Sequence, residues 1–167
     1  MASQEEELID EIKSNFKIES EVQRKRRVYV SIPKKYLIDF CKMIEKKGFI
    51  HLSAISVIDW LDEGDFEITY HLWSYDIKIV IIIKTKIKRN KPTIESVIPI
   101  WHENAQIHER EMHELFGVKF EGNPDLSELF LDGWKGPPPF RKDFNWRDYV
   151  KTEYYDKKNE REIVYYD

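Results

Sequence analysis

Two histidine–glutamate pairs, His102-Glu103 and His108-Glu109, stand in the second half of this 167-residue chain, and His113 follows them. In a helical zinc-hydrolase site, two histidines four apart lie roughly 40° from each other around the helix and reach one ion. His108 and His113 are five apart, which turns them roughly 140° from each other by the same geometry. They diverge. His102 has Gln106 at the four-residue position, so neither pair supplies a zinc centre.

Glu109, Glu111 and Glu114, with Arg110 among them, form the other cluster with chemical potential. Glu111 and Glu114 are three apart and can share a helix face, and Arg110 lies four before Glu114. One reading is an acid–base set. The other is a solvated helix whose ion pairs contribute about 0.2–0.5 kcal/mol each. Gly117, Gly122, Gly133 and Gly136 are too scattered for a phosphate loop, and no Gly-Lys-Ser/Thr element is present. A single cysteine, Cys41, excludes an intramolecular disulfide and any multi-cysteine iron–sulfur or zinc site built by this chain alone. On the apolar face of a predicted helix it packs as a small hydrophobe.

The elements that position these residues follow from periodicity. Ser3 with Glu6 is a capping-box pattern, and Leu8, Ile12 and Phe16, with Ile9, make one helical stripe. Val28, Val30 and Ile32 alternate with Tyr29 and Ser31 as a short strand, with the basic run Arg24 to Arg27 as its solvated lead-in. Pro33 suits the first turn of a second helix, whose core face is Tyr36, Leu37, Phe40, Cys41 and Ile44 and whose end is Gly48. Strands are predicted over Phe49 to Trp60, Phe66 to Trp73, Ile77 to Ile87 and Thr93 to Ile100. The centre Ile79 to Ile83 is apolar on both faces, which places its strand inside the sheet. A helix over Asn104 to Phe116 carries the stripe Met112, Leu115, Phe116, and Gly117 stops it. This order predicts an α+β fold, a mostly antiparallel sheet of four or more strands with helices on one face.

From Val118 onward regular periodicity fades. The segment Trp134-Lys135-Gly136-Pro137-Pro138-Pro139-Phe140 combines a polyproline-type stretch, which loses little entropy on docking, with flanking rings of the type that anchors interfaces. Residues 1–117 are accordingly read as the α+β domain and residues 118–167 as an extended partner-binding strap and tail. Fully extended, the strap from Val118 to Asp143 spans up to ~85 Å.

Composition bounds the rest. A net charge of −4 and a pI near 5.8 argue against a nucleic-acid binder. The N-terminus is acidic and polar, unlike a signal peptide. The longest apolar run, Ile79 to Ile83, falls far short of the ~20 residues that span a bilayer. A soluble protein that meets membranes only through partners is expected. Abundant Lys, Glu and Ile beside scarce Gln, Met and Cys is a thermophile-like pattern.

One stretch carries a family resemblance. Glu109-Arg110-Glu111-x-x-Glu114-Leu115-Phe116-Gly117, then Phe120-Glu121-Gly122-x-Pro124-Asp125-Leu126, Trp134-x-Gly136-x-Pro138 and Arg141-Lys142-Asp143 occur in one order and spacing. This resembles the signature of the NuoC-like, thirty-kilodalton subunit of respiratory complex I and of related membrane-bound, energy-converting hydrogenases and sulfane reductases. Asn123 stands where that family usually has histidine, and Ser127 where arginine is common.

The resemblance implies a cofactor-free, non-catalytic subunit at the cytoplasmic face of the cell membrane. Its expected partners are a nickel–iron-hydrogenase-like large subunit, iron–sulfur subunits and, through the complex, antiporter-like membrane subunits. The iron–sulfur clusters, and a nickel–iron centre in the hydrogenase branch, would belong to those partners. Interface contacts are expected at Glu109, Arg110, Glu111, Glu114, Phe116, Gly117, Phe120, Gly122, Pro124, Asp125, Trp134, Gly136, Pro138, Arg141, Lys142 and Asp143. Asn123, Ser127 and the composition favour a ferredoxin-linked hydrogenase or sulfur-reducing complex, with a NADH- or ferredoxin-fed quinone oxidoreductase as the alternative. A stand-alone small-molecule enzyme is the remote alternative, and it would need a concave site with converging polar groups.

Overall fold

Ser3 starts the first helix, α1 (Gln4–Asn15), with the expected capping box: its Oγ accepts the Glu6 N–H, and its own N–H donates to the Glu6 carboxylate at 2.7 Å. The computed structural model describes residues 3–16 and 18–156. The end of the tail, from residue 157 on, lies outside the described residues.

Alternation builds the sheet. Strands β1 (Glu19–Arg24), β2 (Arg27–Ser31), β3 (His51–Trp60), β4 (Asp65–Ser74) and β5 (Ile79–Lys88) lie in the order β1-β2-β5-β4-β3. All neighbours pair antiparallel except β2 and β5, which run parallel. The register lines up rows across four strands: Val28–Ile81–Leu72–Leu52 and Val30–Ile83–Tyr70–Ile55. These rows are buried, and they share one core cluster with Leu8, Ile9 and Ile12 of α1. Leu37, Phe40, Cys41 and Ile44 of helix α2 (Leu37–Lys46) join the same cluster. Each fully buried aliphatic or aromatic side chain contributes about 1.5–3 kcal/mol relative to exposure. The β5 centre lies inside the sheet, as its doubly apolar sequence predicts.

The other face of the sheet is mixed. Ile82 is buried there, while Lys84 pairs with Glu67 and Lys88 with Asp65 across β4 and β5. Lys84 also lies over the Tyr29 ring and Lys86 over Trp60.

Local expectations change at several points. The basic run Arg24 to Arg27 closes a hairpin, with Lys25 and Arg26 as the turn, because β1, too charged to read as a strand, pairs along β2. Pro33 precedes a short 3-10 turn, Lys34–Tyr36, and Tyr36 stays exposed instead of joining the core. Of the predicted strand Thr93 to Ile100 only Thr93–Glu95 (β6) is strand, and it pairs in parallel with β7 (Lys119–Glu121). Pro99 then sits in the first turn of helix α3 (Ile98–Phe116), where its missing N–H costs nothing, so α3 starts six residues earlier than expected. A kink at Trp101 and His102, the latter at φ 38°, separates that first turn from the rest of α3. Val118 and Phe120 are core residues, so the packed body runs on past Gly117.

Candidate partner-docking surface

Helix α3 sorts its charged signature by side. Trp101, Ala105, Glu109, Met112 and Phe116 follow one another at intervals of four, four, three and four, and all are buried. Glu109 is thus on the core stripe. Its carboxylate accepts the Val97 N–H at 2.8 Å, the Ser96 hydroxyl at 2.7 Å and the Asn123 side-chain N–H at 2.9 Å. Desolvation dominates and raises its carboxyl above the ordinary range, against the three donors. The residue ties the end of β6, the body of α3 and the start of the strap into one knot.

Arg110 and Glu114, one turn apart, face the strap. Arg110 donates to the Ser127 hydroxyl at 3.0 Å and the Glu128 carbonyl at 2.8 Å, and lies 3.8 Å from Asp125. Glu114 accepts three successive backbone N–H groups, from Leu129, Phe130 and Leu131, at 2.9–3.0 Å. Partial desolvation opposes ionisation there, but those N–H groups and nearby Arg110 hold its carboxyl below the ordinary range. Glu111 stands beside His108 at 3.8 Å. The helix therefore uses its exposed charges first on its own chain.

The strap returns to close the helix end. Phe140 N–H donates to the Leu115 carbonyl at 3.0 Å, and Arg141 Nε to the Phe116 carbonyl at 2.8 Å. These are carbonyls that a helix C-terminus leaves unpaired. Gly117, at φ 75°, takes the left-handed cap, and a Cβ there would lie 3.0 Å from Pro138 and 3.2 Å from Arg141. Glycine is needed twice over at that position. Further along, Lys142 N–H donates to Asp59 at 2.9 Å, and Arg89 bridges Asp59 at 2.8 Å to Asp143. Burial works against the Asp59 charge, but Arg89 and the Lys142 N–H hold its carboxyl below the ordinary range. Arg89 and Arg141 also lie over the ring of buried Phe66.

The remaining predicted contacts divide between turn, core and surface. Asn123 and Asp125 make consecutive side-chain turns, accepting the N–H of Asp125 and Ser127 at 2.9 Å, with Pro124 exposed between them. Gly122 has φ 93°, and Phe120 is buried. Trp134 packs against Phe144 and Tyr149 and donates to the Pro137 carbonyl at 3.0 Å. Gly136 leaves room for that stack, since a Cβ would lie 2.7 Å from Trp134. Three large side chains remain turned outward along this side: Phe130, 63% exposed, Phe140, 59%, and Trp146, 56%. Beside α3 the strap also leaves a groove lined by Leu126, Leu131 and Pro138.

Asp59, Arg89 and Ser96 were missed from sequence. Asp59 was the detectable one, a carboxylate among the inward positions of β3, where Leu52, Ile55 and Val57 are apolar. Among the described residues no group of His, Cys, Asp and Glu is placed to hold a metal ion, and no helix is long and apolar enough to cross a membrane.

Residues 30–150 match the family described as "Respiratory-chain NADH dehydrogenase, 30 Kd subunit". The C subunit of the F(420)H(2) dehydrogenase of Methanosarcina mazei is 33% identical over 128 residues, 75% of this chain and 80% of that protein. A C-type subunit of the NADH-quinone oxidoreductase of Rhizobium meliloti is 34% identical over 124 residues, 71% of this chain and 66% of that one. Among solved structures, one polypeptide of the membrane-bound sulfane sulfur reductase, described as an archaeal respiratory membrane complex, superposes with a TM-score of 0.83 at 30% identity, covering 95% of both chains.

Proposed function

This chain belongs to the family of the 30-kDa subunit of respiratory-chain NADH dehydrogenase, and we propose that it is the corresponding peripheral subunit of a membrane-bound respiratory oxidoreductase. It carries no redox centre of its own in this reading. It docks on a nickel–iron-hydrogenase-like large subunit at the cytoplasmic face, beside iron–sulfur subunits. Its task is to hold the electron-carrying chains in register while antiporter-like membrane subunits couple electron flow to ion translocation.

The observation that carries the reading is the match to the sulfane reductase polypeptide, at 95% of both lengths. The likeness includes the strap as well as the sheet, and that favours the sulfur-reducing or hydrogenase branch. The similarity to a quinone-reductase subunit of the same type supports the second reading, the same role in a NADH- or ferredoxin-fed quinone oxidoreductase. Docking through the strap side fits the exposed rings Phe130, Phe140 and Trp146, because aromatic anchors carry much of an interface's energy. Arg110, Glu114 and Arg141 act on the chain's own strap and so preorganise that surface, which lowers the ordering cost of binding.

The test is affinity isolation from native membranes in mild detergent with an N-terminal tag, followed by mass spectrometry and iron and nickel analysis. Recovery of a hydrogenase-like large subunit, iron–sulfur proteins and antiporter-like subunits is the expected result. Stoichiometric nickel selects the hydrogenase, and its absence a sulfur or quinone reductase. Recovery of the protein alone and metal-free overturns the reading.

A further inference from the structure

We infer that, in the free chain, residues 157–167 return to seat their apolar run, Ile163-Val164-Tyr165-Tyr166, in the groove between α3 and the strap. The inference concerns this chain alone and does not rest on the reading above.

The groove selects side chains of a particular kind. It measures about 250 Å³, below the about 300–1,000 Å³ of small-molecule sites, so it has room for one or two side chains and not for a substrate. Leu126, Leu131, Trp134 and Pro138 make it mostly apolar, and Gly117 and Gly136 leave it unfilled because neither carries a Cβ. Its charged wall has one sign: Glu114 and Glu128 line it, and no lysine or arginine does. His113 adds an acceptor. Its Nδ1 lies 2.8 Å from the Val118 carbonyl, which can only accept, so Nδ1 carries the hydrogen. In that neutral tautomer Nε2 is an acceptor, and among the described residues it has no partner.

The tail departs from the groove's own wall. Trp134 packs on Tyr149 of α4 (Trp146–Val150) with ring centroids 4.7 Å apart. A further turn, Lys151–Tyr155, continues α4 to Asp156. From Tyr149 to Asp156 the helical rise carries the chain about 10 Å. Residues 157–165, extended, span up to ~30 Å. Tyr165 therefore reaches the groove with chain to spare for the turn back.

The composition of the tail complements the groove. Lys157, Lys158 and Arg161 come first, opposite in sign to Glu114 and Glu128. Ile163-Val164-Tyr165-Tyr166 follows, the one apolar run beyond Asp156. A tyrosine brings an apolar ring with a hydroxyl donor at its tip, which suits the Leu131 and Trp134 walls and the free nitrogen of His113. Tethering raises the effective concentration of the run at the groove to the order of millimolar, an advantage no separate molecule has. Occupancy also removes apolar surface that the free chain would otherwise expose.

A nitroxide on Asp167→Cys tests this in the full-length chain, because Cys41 is fully buried and stays unlabelled. NMR signals of Leu126, Leu131 and the Trp134 indole should lose most of their intensity, while those of Ile82, on the open face of the sheet, change little. Adding Tyr165→Ser and Tyr166→Ser, which leaves every core residue in place, should restore the groove signals. The same pair should speed tryptic cleavage after Lys157, Lys158 and Arg161 several-fold. Undiminished groove signals overturn the inference, as does broadening centred on another face. Broadening of equal size with the nitroxide on one chain and the NMR isotope on another places a second copy in the groove, and overturns it as well.

Discussion

The sheet-and-helix body and the strap meet along α3, but different forces hold them. The body is an apolar cluster in which rows such as Val30–Ile83–Tyr70–Ile55 cross four strands without a break. From Asn123 to Asp143 the strap has no helix or strand, and directed polar contacts from Glu114, Arg110, Arg141 and Asp59 secure it. The difference teaches where each region is vulnerable. Apolar burial fails globally when a cavity opens, whereas a polar clasp fails locally when one acceptor is removed.

The sharpest break is in the body. Phe40→Ala, at a fully buried ring that Phe16 contacts edge-on, should lower unfolding free energy by about 3–5 kcal/mol in urea titration. The strap should be lost with the body in that variant. Glu114→Gln should do the opposite, removing the charge and one of the two oxygens that the three N–H groups share, at a local cost of about 1.5–3 kcal/mol. Limited proteolysis between Leu126 and Phe140 should accelerate while the global unfolding midpoint moves little. A midpoint that falls as far as in Phe40→Ala would show that strap and body form one cooperative unit.

Acid sharpens the contrast, because the carboxylates that clasp the strap are shifted downward. Glu114, Asp59 and Asp143 are all held below the ordinary range in the fold. Their contribution is present above the unfolded carboxyl value and is lost as pH falls through the lowered folded values. Acid should therefore expose the strap to protease before the sheet unfolds. Gly117→Ala comes next, at about 1–2 kcal/mol, from forced left-handed backbone and the close approach of Pro138 and Arg141. The thermal midpoint and the proteolysis rate both report it.

Glu109→Gln is the smallest change and tests the one charged group on the core stripe of α3. Its folded carboxyl lies above the ordinary range, so its contribution is full below the unfolded value and declines as pH rises through the folded one. Glutamine removes that slope and keeps one acceptor for the Val97 N–H. Stability against pH, measured by urea titration, should diverge in favour of the variant toward neutral pH. A constant offset across pH would mean that Glu109 does not titrate in the folded protein.

Residues 19–24 show what periodicity could not reveal. The charges at Glu19, Glu21 and Arg24 hide the strand, and the segment becomes one only because β2 supplies a partner. The early start of α3 was hidden by Pro99, which closes a strand or opens a helix with equal ease until the neighbouring elements are placed. Glu109 was legible in principle. Its spacing to Met112 and Phe116 put it on the core stripe, but its charge argued for the surface.

By itself the sequence determined the α+β class, the central β5, the core stripe of α2, the stop at Gly117 and the family, because those depend on local periodicity, backbone freedom and short motifs. Only the tertiary structure decided what Arg110 and Glu114 hold, which carboxylate is buried, and how Asp59, Arg89 and Asp143 meet. Those outcomes join residues up to 84 positions apart in the chain, from Asp59 to Asp143. No local pattern encodes such a meeting, because it exists only once β3, the end of β5 and the strap have been packed side by side.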